Sequence, residues 1–137
     1  MVIEFFVPLR KIPSKTHQEK SITFNKLTGK PIVYEDDDLQ EVRALFMSRL
    51  GYHVPKKQMT GPIRLITKWL YPKKGLKKTT WKITKPDTDN IIKLPKDCMT
   101  KLGYWKDDGQ VASEITEKFW IPGTEVGGIW FHIEEME

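Results

Sequence analysis

Asp87, Asp89, Asp107 and Asp108 are the side chains of this sequence best placed to do chemistry. The first two stand in Lys85-Pro86-Asp87-Thr88-Asp89-Asn90-Ile91-Ile92-Lys93, and the second two in Trp105-Lys106-Asp107-Asp108-Gly109-Gln110. Neighbouring carboxylates repel unless a cation lies between them. A hard divalent ion such as Mg²⁺ supplies that compensation, because it takes oxygen ligands and keeps several of its waters. If the first pair ends an extended segment, residues i and i+2 point to one side and their carboxylates converge. Asp107 or Asp108 would complete the set if the helix between the pairs folds back. Phosphodiester hydrolysis uses such an arrangement, since metal ions can activate a water, polarise the phosphoryl group and stabilise the leaving oxygen. Lys93 follows Asp89 by about one helical turn. Its ammonium could stabilise charge on the phosphate or orient the attacking water. Asp-x-Asp alone is common in turns and caps, and Asn90 is read as a helix cap. The second pair and a basic approach tip the reading toward a metal site.

That approach is dense. Seven lysines lie from Lys68 to Lys85, interleaved with Trp69, Tyr71 and Trp81, and the chain carries a net charge of +5 with a pI of about 9.2. Such a balance favours an anionic partner, most commonly nucleic acid. Lys73, Lys74, Lys77, Lys78 and Lys85, with Lys11 and Lys15 in a basic stretch over 9–34, are candidates for phosphate contacts. Exposed aromatics can stack on unpaired bases, although Trp69 is read as core. The single cysteine, Cys98, excludes an intramolecular disulfide and a Cys-rich zinc site. His17, His53 and His132 have no ligand spacing. A reducing cytoplasm, with no signal peptide and no apolar run of membrane-spanning length, is the expected setting.

One domain over 1–137 is expected from the length. Ile3, Phe5 and Val7 mark a first strand ended by Pro8. Ile22 to Phe24 and Ile32 to Tyr34 suit a small ribbon about Leu27-Thr28-Gly29-Lys30. Glu35-Asp36-Asp37-Asp38 opens a helix whose apolar face is Leu39, Val42, Leu45, Phe46 and Leu50, and Gly51 suits its end. The helix dipole accounts for that acidic run better than a metal does. Ile63 to Tyr71 reads as a long strand, and Trp81 to Thr84 as extended. A second helix, capped by Asp89 or Asn90, carries Ile91, Leu94, Cys98, Met99 and Leu102 to Gly103. Pro95 either kinks it or begins its regular part. Val111 to Phe119 and Ile129 to Ile133 are strands, and the last is expected to pair with the one before it.

At Asp87-x-Asp89-Asn90, Lys93, Asp97, Trp105-x-Asp107-Asp108-x-Gln110-Val111 and Lys118, the sequence resembles the RusA-like Holliday-junction resolvases of bacteria, prophages and phages. The resemblance is dense over 85–118 and compatible over the whole chain. It implies an α+β fold, a single small domain with a mixed β-sheet and two main helices that forms a homodimer. It implies a Mg²⁺-dependent site in each subunit and paired nicks across a four-way DNA junction, in recombination and repair. The essential carboxylates correspond to Asp87, Asp89 and Asp108, and the catalytic lysine to Lys93. Asp107 corresponds to a neighbouring acidic position. Pro95 departs from the usual filling of the intervening helix. Two rivals remain at this stage: a non-catalytic nucleic-acid-binding module, and a nuclease for flaps, forks or single strands.

Overall fold

The helix between the two aspartate pairs is the crossover of a β–α–β unit. In this computed structural model the described residues are 1–13, 20–24, 31–35 and 37–137, with side chains described for 1–13 and 39–137. The elements are β1 (Val2–Pro8), β2 (Lys20–Phe24), β3 (Pro31–Glu35), α1 (Asp37–Gly51), β4 (Ile63–Lys73), β5 (Thr80–Trp81), α2 (Thr88–Leu102), a 3₁₀ turn (Asp108–Gln110), β6 (Val111–Pro122) and β7 (Gly128–Glu135). β4 and β6 pair in parallel, which needs a crossover, and α2 supplies it.

The main sheet runs β1-β7-β4-β6-β5, so it is mixed, and β2 pairs with β3 as a separate ribbon. The ribbon falls where β-prone residues predicted it; Lys15 and the Leu27–Lys30 turn lie outside the described residues. The last strand does not pair with its predecessor as expected. β7 lies antiparallel between β1 and β4, while β6 sits on the far side of β4. The loop from β6 to β7 must therefore cross the end of β4. Its glycines permit the crossing: a Cβ on Gly127 would meet Pro72 Cδ at 2.6 Å, and one on Gly123 would meet the Lys74 backbone at 3.0 Å. Strand alternation identifies β7 but carries no information about its partner. Extended pairing after the lysine turn is also shorter than expected, only Thr80–Trp81 against Trp120 and Phe119.

Alternation along β4 sets the layers. Ile63, Leu65, Thr67, Trp69 and Tyr71 are buried, and the residues between them are partly or fully exposed. Both helices pack on the buried face. α1 brings Leu39, Phe46 and Leu50, and α2 brings Ile91, Ile92, Leu94, Cys98 and Met99, into one core with Phe131 and Ile133. Trp69 is core, as read from the sequence. It meets Phe46 edge-on at 6.3 Å and donates its indole N–H to Thr67 Oγ1 at 2.9 Å. The two helices are also joined by an ion pair, Arg43 to Asp97 at 2.6 Å. No helix among the described residues is long and apolar enough to cross a membrane.

Candidate active site

α2 begins earlier than its sequence suggested. Its N-cap is Asp87, in extended conformation with no side-chain cap hydrogen bond, so neither Asp89 nor Asn90 caps it. Asp89 lies in the first helical turn. The two aspartates are thus not strand neighbours at i and i+2. One precedes and the other enters the positive end of a helix, which favours carboxylates. Both are exposed. The buried Oδ1 of Asn90 has no hydrogen-bond partner. The Asp87 carboxylate makes no capping hydrogen bond, so a capping role does not account for it.

The approach to this pair is fastened by a lysine. Lys118 Nζ, on β6, donates to Thr84 O at 2.6 Å and Pro86 O at 2.7 Å. Those carbonyls lie on the segment that feeds Asp87. A lysine that reads as one more positive charge in the sequence is therefore an anchor for the site. Its signal was its place in the motif.

Helix α2 runs through Pro95, which is buried on the apolar side with Leu94 and Cys98. The helix does not restart at Pro95. Pro95 cannot donate to the carbonyl four residues back, and its burial in the core offsets part of that loss. Lys93, Lys96, Asp97 and Thr100 are half-buried and follow at helical spacing along one stripe. Asp97, in the matched motif, is a clamp: it takes Arg43 of α1 and, at 3.3 Å, Lys101. Burial pushes its carboxyl up, but hydrogen bonds from Arg43 and Lys101 and their charges outweigh this and hold it below the ordinary value.

Asp108 reaches the same stripe from the other end. Its Oδ1 accepts from Thr100 Oγ1, which in turn receives the buried Trp105 indole N–H at 2.7 Å. Asp108, Lys93, Lys96 and Asp97 line one cleft of about 250 Å³. Thr100 was missed in the sequence, although it falls seven residues after Lys93 on the same face. Gln110 holds the turn itself. Its carbonyl accepts from the backbone of Lys106 and Asp107 at 2.8 and 3.1 Å, and its amide donates to Met59 O and Gly61 O at 3.0 and 3.1 Å. Asp107 folds over that turn, where a Cβ on Gly109 would stand 3.2 Å from its Oδ2.

The structure thus brings Asp108, on the 3₁₀ turn, to Lys93 of α2, and sets Asp87 and Asp89 at the start of that helix. From Asp89 to Thr100 is eleven residues, about 16 Å along the axis. Accordingly, no group of three or more His, Cys, Asp or Glu side chains among the described residues stands close enough to hold a metal ion. The donor chemistry at the Asp87–Asp89 end still suits a hard cation, because Mg²⁺ is commonly held through one or two carboxylates and completes its shell with water and substrate phosphates.

Lys74, Lys77, Lys78 and Lys85 are exposed, as is Lys73 at the end of β4. Lys11 lines a cleft of about 780 Å³ with Arg10, Arg49 and Pro72. Trp81 is 58% exposed and stacks on Phe119 at 4.5 Å.

A small mixed sheet with two helices on one face, acidic at one helix start and basic before it, has the parts of a nuclease. The chain belongs to the endodeoxyribonuclease RusA family, whose model it matches over residues 3–127. It is an endodeoxyribonuclease, which removes the non-catalytic binding module from consideration. Among its relatives is the crossover junction endodeoxyribonuclease rusA of Lactococcus phage r1t, 33% identical over 114 residues, covering 81% of this chain and 83% of that protein.

Proposed function

We propose that this endonuclease resolves four-way DNA junctions by paired nicks, as a Mg²⁺-dependent homodimer acting in recombination and repair. The junction endonuclease activity for which the phage relative is named supports the junction as substrate. The observation that carries the site is the exposed Asp87–Asp89 pair, uncapped at the start of α2 and reached through a lysine-rich turn.

Asp87 and Asp89 would hold Mg²⁺, while Asp108, held by Thr100 in the cleft with Lys93, would face the DNA strand as a third carboxylate without sharing that ion. The ion supplies polarisation of the phosphoryl group and a more acidic water. Lys93 lies one turn past Asp89 and meets the phosphoryl oxygen where negative charge grows. Thr100 holds one oxygen of Asp108 and leaves the other to face the substrate. Asp107 stays with its turn and tunes the local charge. Lys11, Lys15, Lys73, Lys74, Lys77, Lys78 and Lys85 bind the DNA backbone, contacts that set register and orientation rather than sequence. Two nicks require two sites, which a homodimer provides. A bacterial cytoplasm, in a host or a phage-infected cell, supplies the substrate.

A substrate panel tests the reading. A mobile four-way junction, a flap, a fork and plain duplex are incubated with the protein in Mg²⁺ and in EDTA. Symmetric cuts in the junction, absent in EDTA, are expected. Preferential cutting of flap or fork would transfer the activity to another branched substrate.

A further inference from the structure

Lys82 is a buried lysine with no acidic partner among the described residues. It is 8% exposed, and its Nζ donates to Thr84 Oγ1 at 2.6 Å. The same ammonium stands 4.1 Å from the centre of the Trp120 ring and 5.2 Å from that of Tyr71. A second cation, Lys73 Nζ, lies 5.1 Å from the centre of the Trp120 ring. The sheet register explains the gathering. Tyr71 pairs with Trp120 and Lys73 with Pro122, while the Lys82 backbone N–H bonds to the Lys118 carbonyl at 3.0 Å. Lys118 Nζ uses two donors on Thr84 and Pro86 and keeps a third. None of the three lysines takes part in the ion pairs found among the described residues.

A partly buried ammonium without a counter-charge is unfavourable, and aromatic faces and one hydroxyl offset only part of that. Burial, then the charges of Lys118 and Lys73, make Lys82 release its proton more readily than an ordinary lysine. An anion arriving at this corner would relieve all three cations together. The corner adjoins residues 84–86, which lead directly into Asp87.

We propose that Lys73, Lys82 and Lys118 form a seat for one backbone phosphate of the DNA strand, next to the Asp87–Asp89 pair. This rests on the reading of the protein as a DNA endonuclease and adds the place where a phosphate beside the cut is held. Lysines bind phosphates as point charges. A contact at a desolvated lysine is less screened than one at the exposed Lys74, Lys77 or Lys78. Such a fixed contact sets where along the strand the scissile phosphate falls.

The test is equilibrium binding of a synthetic four-way junction in EDTA, followed by fluorescence anisotropy from 50 to 200 mM salt. Each phosphate neutralised contributes about 0.9 to the logarithmic salt slope, so losing one contact makes the fall in affinity over this range about threefold smaller. Replacing Lys73 and Lys82 together by Met is expected to reduce the slope by up to about 0.9, with Lys82→Met alone, which suits the apolar walls, taking a part of this and keeping or raising Tm. Lys73→Met, at an exposed position, is expected to lower the slope in the same direction. An unchanged slope in Lys82→Met overturns the seat, and if that variant does not fold, an unchanged slope in Lys73→Met does so. Wild-type cutting in Mg²⁺ is measured alongside. Binding without cutting sinks the proposed function and leaves the seat standing, whereas cutting with unmoved slopes sinks the seat alone.

Discussion

Replacing Asp97 by Asn should loosen the two helices without silencing the chemistry. The carboxylate is 2.6 Å from Arg43 of α1 and 3.3 Å from Lys101, and the Arg43 and Asp97 side chains are 18% and 29% exposed. Hydrogen bonds to charged groups contribute about 1.5–3 kcal/mol. Partial exposure screens the pair, so a loss of about 1–2 kcal/mol is expected. In a chain of this size that lowers Tm by about 5 °C. The pH dependence follows from the depressed carboxyl. Its contribution is complete above the unfolded value of about 3.9 and is lost as pH falls through the lower folded value. The gap in Tm between wild type and Asp97→Asn should therefore hold steady from about pH 8 to pH 5 and narrow only below about pH 4. Calorimetry over that series, with junction cutting measured well below Tm, is the assay. A variant that keeps its Tm but loses cutting would refute the clamp and make Asp97 a residue of the chemistry.

Thr100→Val keeps the shape but removes the hydroxyl between Trp105 and Asp108. It should cut junctions about tenfold more slowly, corresponding to about 1.4 kcal/mol, while Thr100→Ser restores the rate; equal rates in Val and Ser variants would refute the relay. Gly127→Ala forces a methyl to 2.6 Å from Pro72 where the β6–β7 loop crosses β4. A loss of about 1–3 kcal/mol is expected in urea unfolding, and an unchanged midpoint would contradict the crossing.

Much of the fold was legible, for physical reasons that differ between elements. Alternation placed β4 and its buried Trp69, and helical spacing placed α1 and α2, because burial on one face imposes those periods. The partner of β7 was not legible, since alternation names a face and not a neighbour. The start of α2 was misplaced because Asp, Thr and Asn all suit a cap, and only the backbone angles separate Asp87 from Asp89. At the site, residue types pointed to Asp87, Asp89, Lys93 and Asp108. What they could not give was spacing in three dimensions: Asp108 docks on Thr100, nearly the length of α2 away from Asp89. Lys118 and Gln110 appeared in the motif without a role, because each acts by bonding backbone carbonyls and amides far away in sequence.

On the proposed reading, the Asp87–Asp89 pair performs cutting rather than binding. Asp89→Asn tests it most directly, with junction binding and junction cutting measured on the same preparation in Mg²⁺. Removing one negative charge should keep or tighten binding and abolish both nicks. A variant that cuts the junction at the wild-type rate would place the chemistry elsewhere.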